Sequence, residues 1–512
     1  MFSSTFHDTK KESPLVSSCN PNQKQAVLFD HGKGGPLFVL AGAGSGKTFV
    51  LTNRIVYLIQ SGVKPVNLVA LTFTEAAAAE MSERAAVKLK ELGFHGVECP
   101  KACTFHSLGL RLIKDKVSDN PNWARLGFKR LPRVLDASER EHFIREIKRT
   151  YALPGSLDQI SQLVESPFFP SRNSDELQGK KLLVSEKSGP EVLKKKLRTR
   201  FRTFLLEQNA LTFGDMVYLA IKLLKENPEV LKYYQDMCQY VLVDEYQDTS
   251  PDQLELVRLL AAPQQNLFCV GDDDQAIYGF RGADPDCINR LFDDFPGLSV
   301  IKLEINYRST SSILSYANTI FKTKPRELRK KLVPGKTSDR TIFRHNYPVV
   351  HKICHTSLAE GKWITSEMQR LRESEGLDWK DFAILYRLNR QAAYYQSFLK
   401  HAFGEEAVSS IRFQTIHGSK GLQYPVVFLV GLENGTFPHK HRGRELDERR
   451  FEEEKRLFYV GVTRAESLLY LSSCRKRMTG GKMRKFEISP FLLQTGTFLT
   501  RMKLKVLLAL VR

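Results

Sequence analysis

Residues 41–48 read Ala-Gly-Ala-Gly-Ser-Gly-Lys-Thr, after an apolar run Leu37-Phe38-Val39-Leu40 and before a helix-like stretch from Phe49 to Gln60. Strand, glycine-rich turn and helix in that order are the context a phosphate-binding loop requires, and they constrain the chain more than any other feature. Glycines let the backbone bend so that successive N–H groups point inward at phosphates, and the helix N-terminus adds the positive end of its dipole. The cradle is Ala41, Gly42, Ala43, Gly44, Ser45 and Gly46. Lys47 reaches for the β- and γ-phosphates, and Thr48 offers a hydroxyl to Mg²⁺. Ala41 stands where the usual pattern has glycine, and one methyl at the strand exit is tolerable.

Much later in the chain, Tyr240-Val241-Leu242-Val243 has the signature of a buried strand, and Asp244-Glu245 emerge at its end. Asp244 fits the Mg²⁺-side carboxylate. Glu245 fits the base that polarises an attacking water. The alternative is a strand followed by a solvated acidic turn. Beside a phosphate loop, the pair reads instead as the second half of an ATP site.

At 512 residues the chain is long enough for two to four domains. Its 42% hydrophobic and 26% charged residues are those of an ordinary globular protein. Seventy-seven basic against fifty-seven acidic residues leave a net charge of +20, which favours a polyanionic partner such as nucleic acid. Charge alone does not separate DNA from RNA or from an anionic membrane. The eight cysteines are scattered, several within apolar runs (Cys238, Cys269, Cys354), as in a reduced, cytosolic protein. His95, Cys99, Cys103 and His106 can be written as a zinc quartet, but the spacing is not that of a finger and His106 has a better use below. The N-terminus is polar with no apolar core, so no signal peptide is expected. No run approaches the ~20 apolar residues of a membrane span, and the apolar tail Leu504–Val511 is too short to cross.

Residues 1–18 are rich in Ser, Lys and Thr and read as disordered. Strand-like and helix-like segments alternate over 19–106. They give way to a helical, strongly charged stretch over 107–205, with a loop-like patch at Pro167–Pro170, and resume over 206–298. A second α/β block fills 299–512. The basic run from Lys194 to Arg202 is either a solvated helix face or a phosphate-contacting patch.

Three strand-like segments end in polar or aromatic residues: Thr72-Phe73-Thr74, Thr104-Phe105-His106-Ser107, and Gly271-Asp-Asp-Asp-Gln275 followed by Tyr278, Phe280 and Arg281. Ligands bind at the carboxyl ends of strands in open α/β sheets, and aromatics beside a basic groove are what stacking on unpaired bases needs. Core packing is the competing reading for each ring taken singly.

Together these segments resemble the UvrD/Rep/PcrA helicases of superfamily 1 over roughly residues 19–490, with eight or more blocks in the family's order. The resemblance implies two RecA-like P-loop NTPase domains with parallel sheets, and a helical insert in the first. It implies ATP and Mg²⁺ as ligands. Cys19-Asn-Pro-Asn-Gln23 looks like the adenine-reading segment, with Gln23 making the paired hydrogen bonds. Gln275 falls where the family couples the γ-phosphate to the DNA track, and Tyr278 and Phe280 fall on the base-stacking positions beside Arg281. Thr72, Phe73, Thr104, Phe105 and His106 fall on further DNA-contacting positions. Leu303-Glu-Ile-Asn-Tyr-Arg-Ser-Thr310 looks like the block opening the second motor domain, where Tyr307 would stack on adenine and Arg308 would touch the γ-phosphate. Gln414-Thr-Ile-His417-Gly-Ser-Lys-Gly-Leu422 resembles the block that grips both DNA and nucleotide. In Tyr459-Val-Gly-Val-Thr-Arg464-Ala, Arg464 would be the arginine finger. Arginines from a second domain stabilise charge on the transferring phosphoryl group only when the cleft closes, which links hydrolysis to stepping.

The chain also departs from the family. Glu75-Ala76 replace a usual Asn-Lys, Phe280 a usual tryptophan, Ile305 a usual glutamine, and Gln423 a glutamate that contacts the ribose. Thr212-Phe-Gly-Asp215 stands for a usual Asp-Phe-Asp-Asp. None of these removes Lys47, Asp244, Glu245, Arg308 or Arg464, so an active ATPase is expected. The largest departure is a deletion. After Leu385-Tyr-Arg-Leu-Asn-Arg-Gln391, where the family inserts a large accessory domain, only residues 392–413 intervene, enough for one helix and a turn. A C-terminal extension found in many relatives is likewise expected to be missing.

The resemblance implies a 3′-to-5′ translocase on single-stranded DNA that unwinds duplex in repair or replication. It implies single/double-strand junctions as substrates and a cytoplasmic, bacterial-type, nucleoid-associated protein with no membrane contact. The deletion keeps two alternatives open: a translocase without unwinding, and an ATP-switched DNA-binding protein, either with a partner standing in for the accessory domain. A small-molecule kinase sharing the phosphate loop would not need the later blocks.

Overall fold

The computed structural model describes residues 14–165, 190–262, 264–284, 286–321, 328–335, 347–440, 446–479 and 481–494. Two compact units emerge: Met1–Phe38, Thr48–Cys269 and Asp286–Ser299 make the first, and Val39–Lys47, Val270–Pro285 and Val300–Arg512 the second. Strand β1 (Leu37–Ala41) crosses that division and leads into the phosphate loop.

In the first unit, β2 (Leu68–Thr72), β3 (Cys103–Thr104), β4 (Tyr240–Val243) and the start of β5 (Leu267–Gly271) run parallel. Val69 lies opposite Val241, Leu71 opposite both Val243 and Cys103, and Val243 opposite Cys269. Every residue of β2 is buried, as expected for a parallel strand covered on both faces. With β6 (Ser299–Leu303), the sheet order is β6-β1-β5-β4-β2-β3.

Helices form where caps and apolar periodicity allow. Asn20 and Gln23 make a reciprocal capping box at the start of α1 (Pro21–Val27), α2 (Lys47–Gln60) follows the phosphate loop, and Thr74 caps α3 (Glu75–Glu91). Thr104 caps α4 (Phe105–Lys114). Beyond it a helical region packs Phe143, Ile144, Ile147, Leu197 and Phe201 into a core of its own.

The basic run lies on α5 (Pro190–Glu207), with Leu197 and Phe201 facing inward. Arg198 donates to Leu163 O at 3.1 Å, and Arg202 pairs with Asp215 at 2.7 Å and lies over the Tyr218 ring. Arg198 and Arg202 are therefore committed within the helical region, while Lys195, Lys196 and Arg200 are exposed. Pro167–Pro170 and the tail Leu504–Val511 lie outside the described residues. The expectation of a disordered start is corrected over 14–18: Pro14–Val16 form a helical turn with Leu15 and Val16 buried, because both side chains find an apolar site. Residues 1–13 lie outside the described residues.

The second unit has its own parallel sheet, order β7-β11-β10-β8-β9: β7 (Val350–Thr356), β8 (Phe382–Tyr386), β9 (Arg412–Thr415), β10 (Tyr424–Leu429) and β11 (Ala465–Thr479). A hairpin partner, β12 (Lys482–Lys485), runs antiparallel to the end of β11. Phe382, Ile384, Val426 and Phe428 bury one face with α6 (Ser357–Glu375). The short connector expected at 392–413 is two helices rather than one, α7 (Ala392–Phe403) and α8 (Glu405–Ser410). The chiral, helix-bearing crossover that joins parallel neighbours explains this: β8 and β9 pair directly, so the chain must return along the sheet. Among the described residues no helix is long and apolar enough to cross a membrane.

Candidate nucleotide and nucleic-acid sites

The second unit holds the phosphate loop in a network of backbone and side-chain bonds. Gly42 N–H donates to Leu303 O at 2.9 Å, and Tyr307 N–H donates to Gly44 O at 2.9 Å. Asn306, fully buried, donates from Nδ2 to Ala43 O at 2.6 Å, while its Oδ1 accepts the N–H groups of Arg308 and Ser309 at 2.8 Å. Gly44 and Gly46 take φ of +65° and +86°. A Cβ at Gly44 would lie 2.6 Å from Asn306 Nδ2 and 2.8 Å from Arg308 Cβ, so only glycine closes this turn. A curled, glycine-dependent loop ending in Lys47 fits a polyphosphate.

Arg308 and Arg464 converge beside it. Arg308 donates from Nε to Gln423 Oε1 at 2.7 Å and from Nη1 to Thr463 O at 3.1 Å. Arg464 is 1% exposed and donates to Val460 O, Leu422 O and, from Nη2, to Gln275 Oε1 at 3.1 Å. Its guanidinium is thus held by the very glutamine assigned to γ-phosphate sensing. Tyr307 is exposed, and a Cβ at Gly335 would lie 2.9 Å from its ring, so glycine there gives the ring room.

The first unit carries the acidic pair. Asp244 ends β4 almost fully buried, its N–H donating to Leu71 O at 2.9 Å. Glu245 has φ +47°, a left-handed backbone uncommon for a side-chain-bearing residue and costing about 1–3 kcal/mol. Its Oε2 accepts from Gln247 Nε2 at 2.6 Å. Thr48 is half-buried in the first turn of α2. A hydroxyl and a carboxylate are the hard oxygen donors Mg²⁺ takes. Gln23 is buried, and its Oε1 accepts Asn20 N–H at 3.0 Å in the capping box, so that oxygen already has a backbone partner.

The aromatic residues expected to contact nucleic acid fall into two groups. In the first unit, Phe73 is half-buried, 5.9 Å from Phe105. Phe105 itself is 1% exposed and Thr72 equally closed, a correction to their reading as DNA contacts: both are core, because the first residue of α4 and the last of β2 turn inward. Thr104 Oγ1 accepts Ser107 N–H at 3.1 Å as a helix cap and donates to Glu75 Oε1 at 2.9 Å. Glu75 also accepts from Ser107 Oγ at 2.7 Å, and these bonds, Ser107's first, lower its pKa. His106 is half-buried, which lowers its pKa, and stands 6.3 Å edge-on to Phe213.

In the second unit, Phe280 is 64% exposed, 5.3 Å from His417 and 6.0 Å from Tyr278, both edge-on. Lys420 Nζ lies 4.7 Å over the Tyr278 ring and donates to Gln275 O at 2.8 Å. Gly279 N–H donates to Glu453 Oε1 at 3.1 Å, tying the turn to α9 (Glu448–Val462). Arg281 closes that turn, its side chain lying outside the described residues.

Four residues escaped the sequence reading. Asn306 and Lys420 lie inside quoted blocks but have no local signal. Phe213 is 66% exposed beside His106. Lys330 sits buried among Asp272, Asp273 and Asp274. The signal for it existed: three consecutive carboxylates at the end of a buried strand require a counter-charge.

The chain is similar to known proteins over most of its length. Residues 19–296 match the UvrD/REP helicase N-terminal domain, and residues 301–405 and 397–476 match the UvrD-like helicase C-terminal domain in two stretches that meet at α7 and α8. The chain is 32% identical over 457 residues to a probable DNA helicase of Mycoplasma pneumoniae, covering 89% of this chain and 83% of that one. It is 34% identical over 412 residues to DNA helicase II of Rickettsia typhi (79% and 59%), and 33% over 398 residues to the ATP-dependent DNA helicase PcrA of Staphylococcus aureus (75% and 50%). Against the last two it spans between half and three fifths of their length, being shorter in the manner of a chain that lacks an insert. The chain belongs to the UvrD/Rep helicase family.

Proposed function

We propose that this protein is an ATP-driven motor that moves 3′ to 5′ along single-stranded DNA and unwinds duplex at single/double-strand junctions, in repair or replication beside the bacterial nucleoid. The observation that carries the reading is the contact pair of Lys420. One ammonium donates to the backbone carbonyl of Gln275, the residue whose side-chain oxygen accepts from Arg464, and covers the ring of Tyr278, an aromatic this reading assigns to stacking. A change at the nucleotide-side glutamine therefore has a direct mechanical route to a base-stacking ring.

In this reading, Lys47 and the loop amides bind the phosphates, Gln23 and Tyr307 hold the base, and Gln423 lies near the ribose. Glu245 takes the proton of the attacking water. Arg308 and Arg464 offset charge on the transferring group. Thr48 and Asp244 would hold Mg²⁺, which when bound neutralises charge on the β- and γ-phosphates. Phe73, Phe280, Tyr278 and His417 stack on or brace bases, with Thr104, His106 and Arg281 beside them. Residues 19–106 with 206–298 serve as the first motor domain, 107–205 as its helical insert, and 299–512 as the second motor domain.

A second reading, translocation without unwinding, is favoured by α7 and α8 standing where the accessory insert belongs, with a protein partner supplying what the insert does in relatives. Strand displacement on 3′-tailed and 5′-tailed duplexes, with ATP hydrolysis followed in the same tubes and Lys47→Ala as control, tests both. Unwinding of the 3′-tailed substrate alone is expected. DNA-stimulated hydrolysis with no displacement would favour the second reading, and displacement from the 5′ tail would overturn the polarity.

A further inference from the structure

The end of β5 carries three carboxylates in a row, and one oxygen from each lies within 4.8 Å of the others. Lys330 fills the space between them. Its side chain is 1% exposed, and its Nζ lies 2.5 Å from Asp272 Oδ1 and 3.2 Å from Asp274 Oδ2, and contacts Asp273 Oδ1. Burial alone would lower this ammonium's pKa, yet the three aspartates push it well above its ordinary value. Tyr459 of α9 faces the same cluster, and its phenol is raised by burial and by Asp272 and Asp274.

The cluster continues into the nucleotide machinery. Asp272 Oδ2 accepts from Gln275 Nε2 at 2.5 Å, and Gln275 Oε1 accepts from Arg464 Nη2 at 3.1 Å. The amide of Gln275 is therefore held at both ends, by an acceptor at its NH₂ and a donor at its oxygen. An ionised Asp272 only accepts, so it takes the NH₂ and leaves the oxygen for arginine. Lys330 Nζ holds the same carboxylate through Oδ1 that holds the Gln275 amide through Oδ2, so removing the ammonium loosens the carboxylate that positions the amide.

We propose that Lys330 is a positioning residue for ATP hydrolysis: its buried ammonium anchors the Asp272 carboxylate, which in turn holds the side chain of Gln275 against Arg464. This rests on the motor reading above. Lys330 reaches the nucleotide machinery through Asp272 and Gln275.

The test uses the full chain and DNA-stimulated ATP hydrolysis, with the thermal melt of each variant recorded. Lys330→Met keeps the stem and removes the charge. Its kcat is expected to fall about tenfold or more while KM for ATP moves less than about twofold. Gln275→Ala and the double variant Lys330→Met/Gln275→Ala are expected to match each other within about twofold, since a residue acting through Gln275 has nothing left to orient once it is gone. A merely structural Lys330 would lower the melt, leave kcat per folded molecule unchanged, and multiply with Gln275→Ala. Either result overturns the proposal. Should Lys330→Met fail to fold, Lys330→Gln/Asp273→Asn removes the ammonium together with one carboxylate it neutralises, and the same criteria apply. A parent chain that hydrolyses no ATP, beside an equally inert Lys47→Ala, overturns the motor reading and the role of Lys330 with it. An active parent with an unaffected Lys330 variant overturns only the latter.

Discussion

The two aromatic groups that the motor reading assigns to DNA are built differently. Beside Tyr278, Phe280 and His417 stand an ammonium and a carboxylate: Lys420 lies over the Tyr278 ring, Glu453 accepts from Gly279 N–H, and Phe280 is open to solvent. Beside Phe73, Phe105 and His106 stands the carboxylate of Glu75, clasped by Thr104 and Ser107, and one of the two phenylalanines is core. In the motor reading, phosphates would be drawn to Lys420 in the first group and repelled by Glu75 in the second, so the second unit's group would hold a strand and the first unit's group would touch it more lightly. Equal aromatic content does not make equal binding surfaces.

The largest effect that could break this contrast is on stability. Phe105→Ala should cost about 3–5 kcal/mol through the cavity it leaves, seen as a lower melting temperature, whereas Phe280→Ala at an exposed site should move the melt within about 0.5 kcal/mol. If the two melt alike, the assignment of one ring to core and the other to surface is wrong. Next in size, Phe280→Ala should weaken single-stranded DNA binding by about 1–3 kcal/mol, read by fluorescence anisotropy. Phe73→Ala should lose less, and a reversed order would invert the comparison.

Lys420→Met removes both the ammonium over Tyr278 and the tie to Gln275. It should reduce DNA stimulation of ATP hydrolysis about fivefold while basal hydrolysis changes little, the cation–π share alone being about 0.5–2 kcal/mol. Stimulation equal to that of the parent would separate the two sites again. The smallest expected effect is a gain: Glu75→Gln should tighten DNA binding about two- to fivefold at low salt, fading as salt screens it. Hydrogen bonds from Ser107 and Thr104 depress the Glu75 pKa, so its charge, and any stabilisation it brings, persists above the ordinary carboxylate range and is lost only as pH falls through the depressed value. The gain should therefore be constant from neutral pH down to mildly acidic buffer and vanish below it.

Much of this architecture was legible in the residues. The phosphate loop, the acidic strand end, the alternation of strands and helices and the shortened stretch at 392–413 all lie in contiguous segments, where backbone geometry sets spacing. Gly44 and Gly46 take the positive φ that their positions demanded. The second helix of the connector was not legible, because it follows from β8 and β9 being neighbours, a pairing no local pattern states. Leu15 and Val16 read as part of a polar tail because their burial depends on chain far away in sequence.

What the sequence determined by itself was therefore a set of local devices and their order, enough to place the chain among nucleotide-driven DNA motors. The tertiary structure alone decided which of two similar phenylalanines, Phe105 or Phe280, faces water, that Arg464 rests on Gln275, and that Lys330 closes the aspartate cluster. The physical reason is common to all three. Burial and ion pairing are set by which distant segments pack together, and a side chain's identity carries its chemistry but not its neighbours.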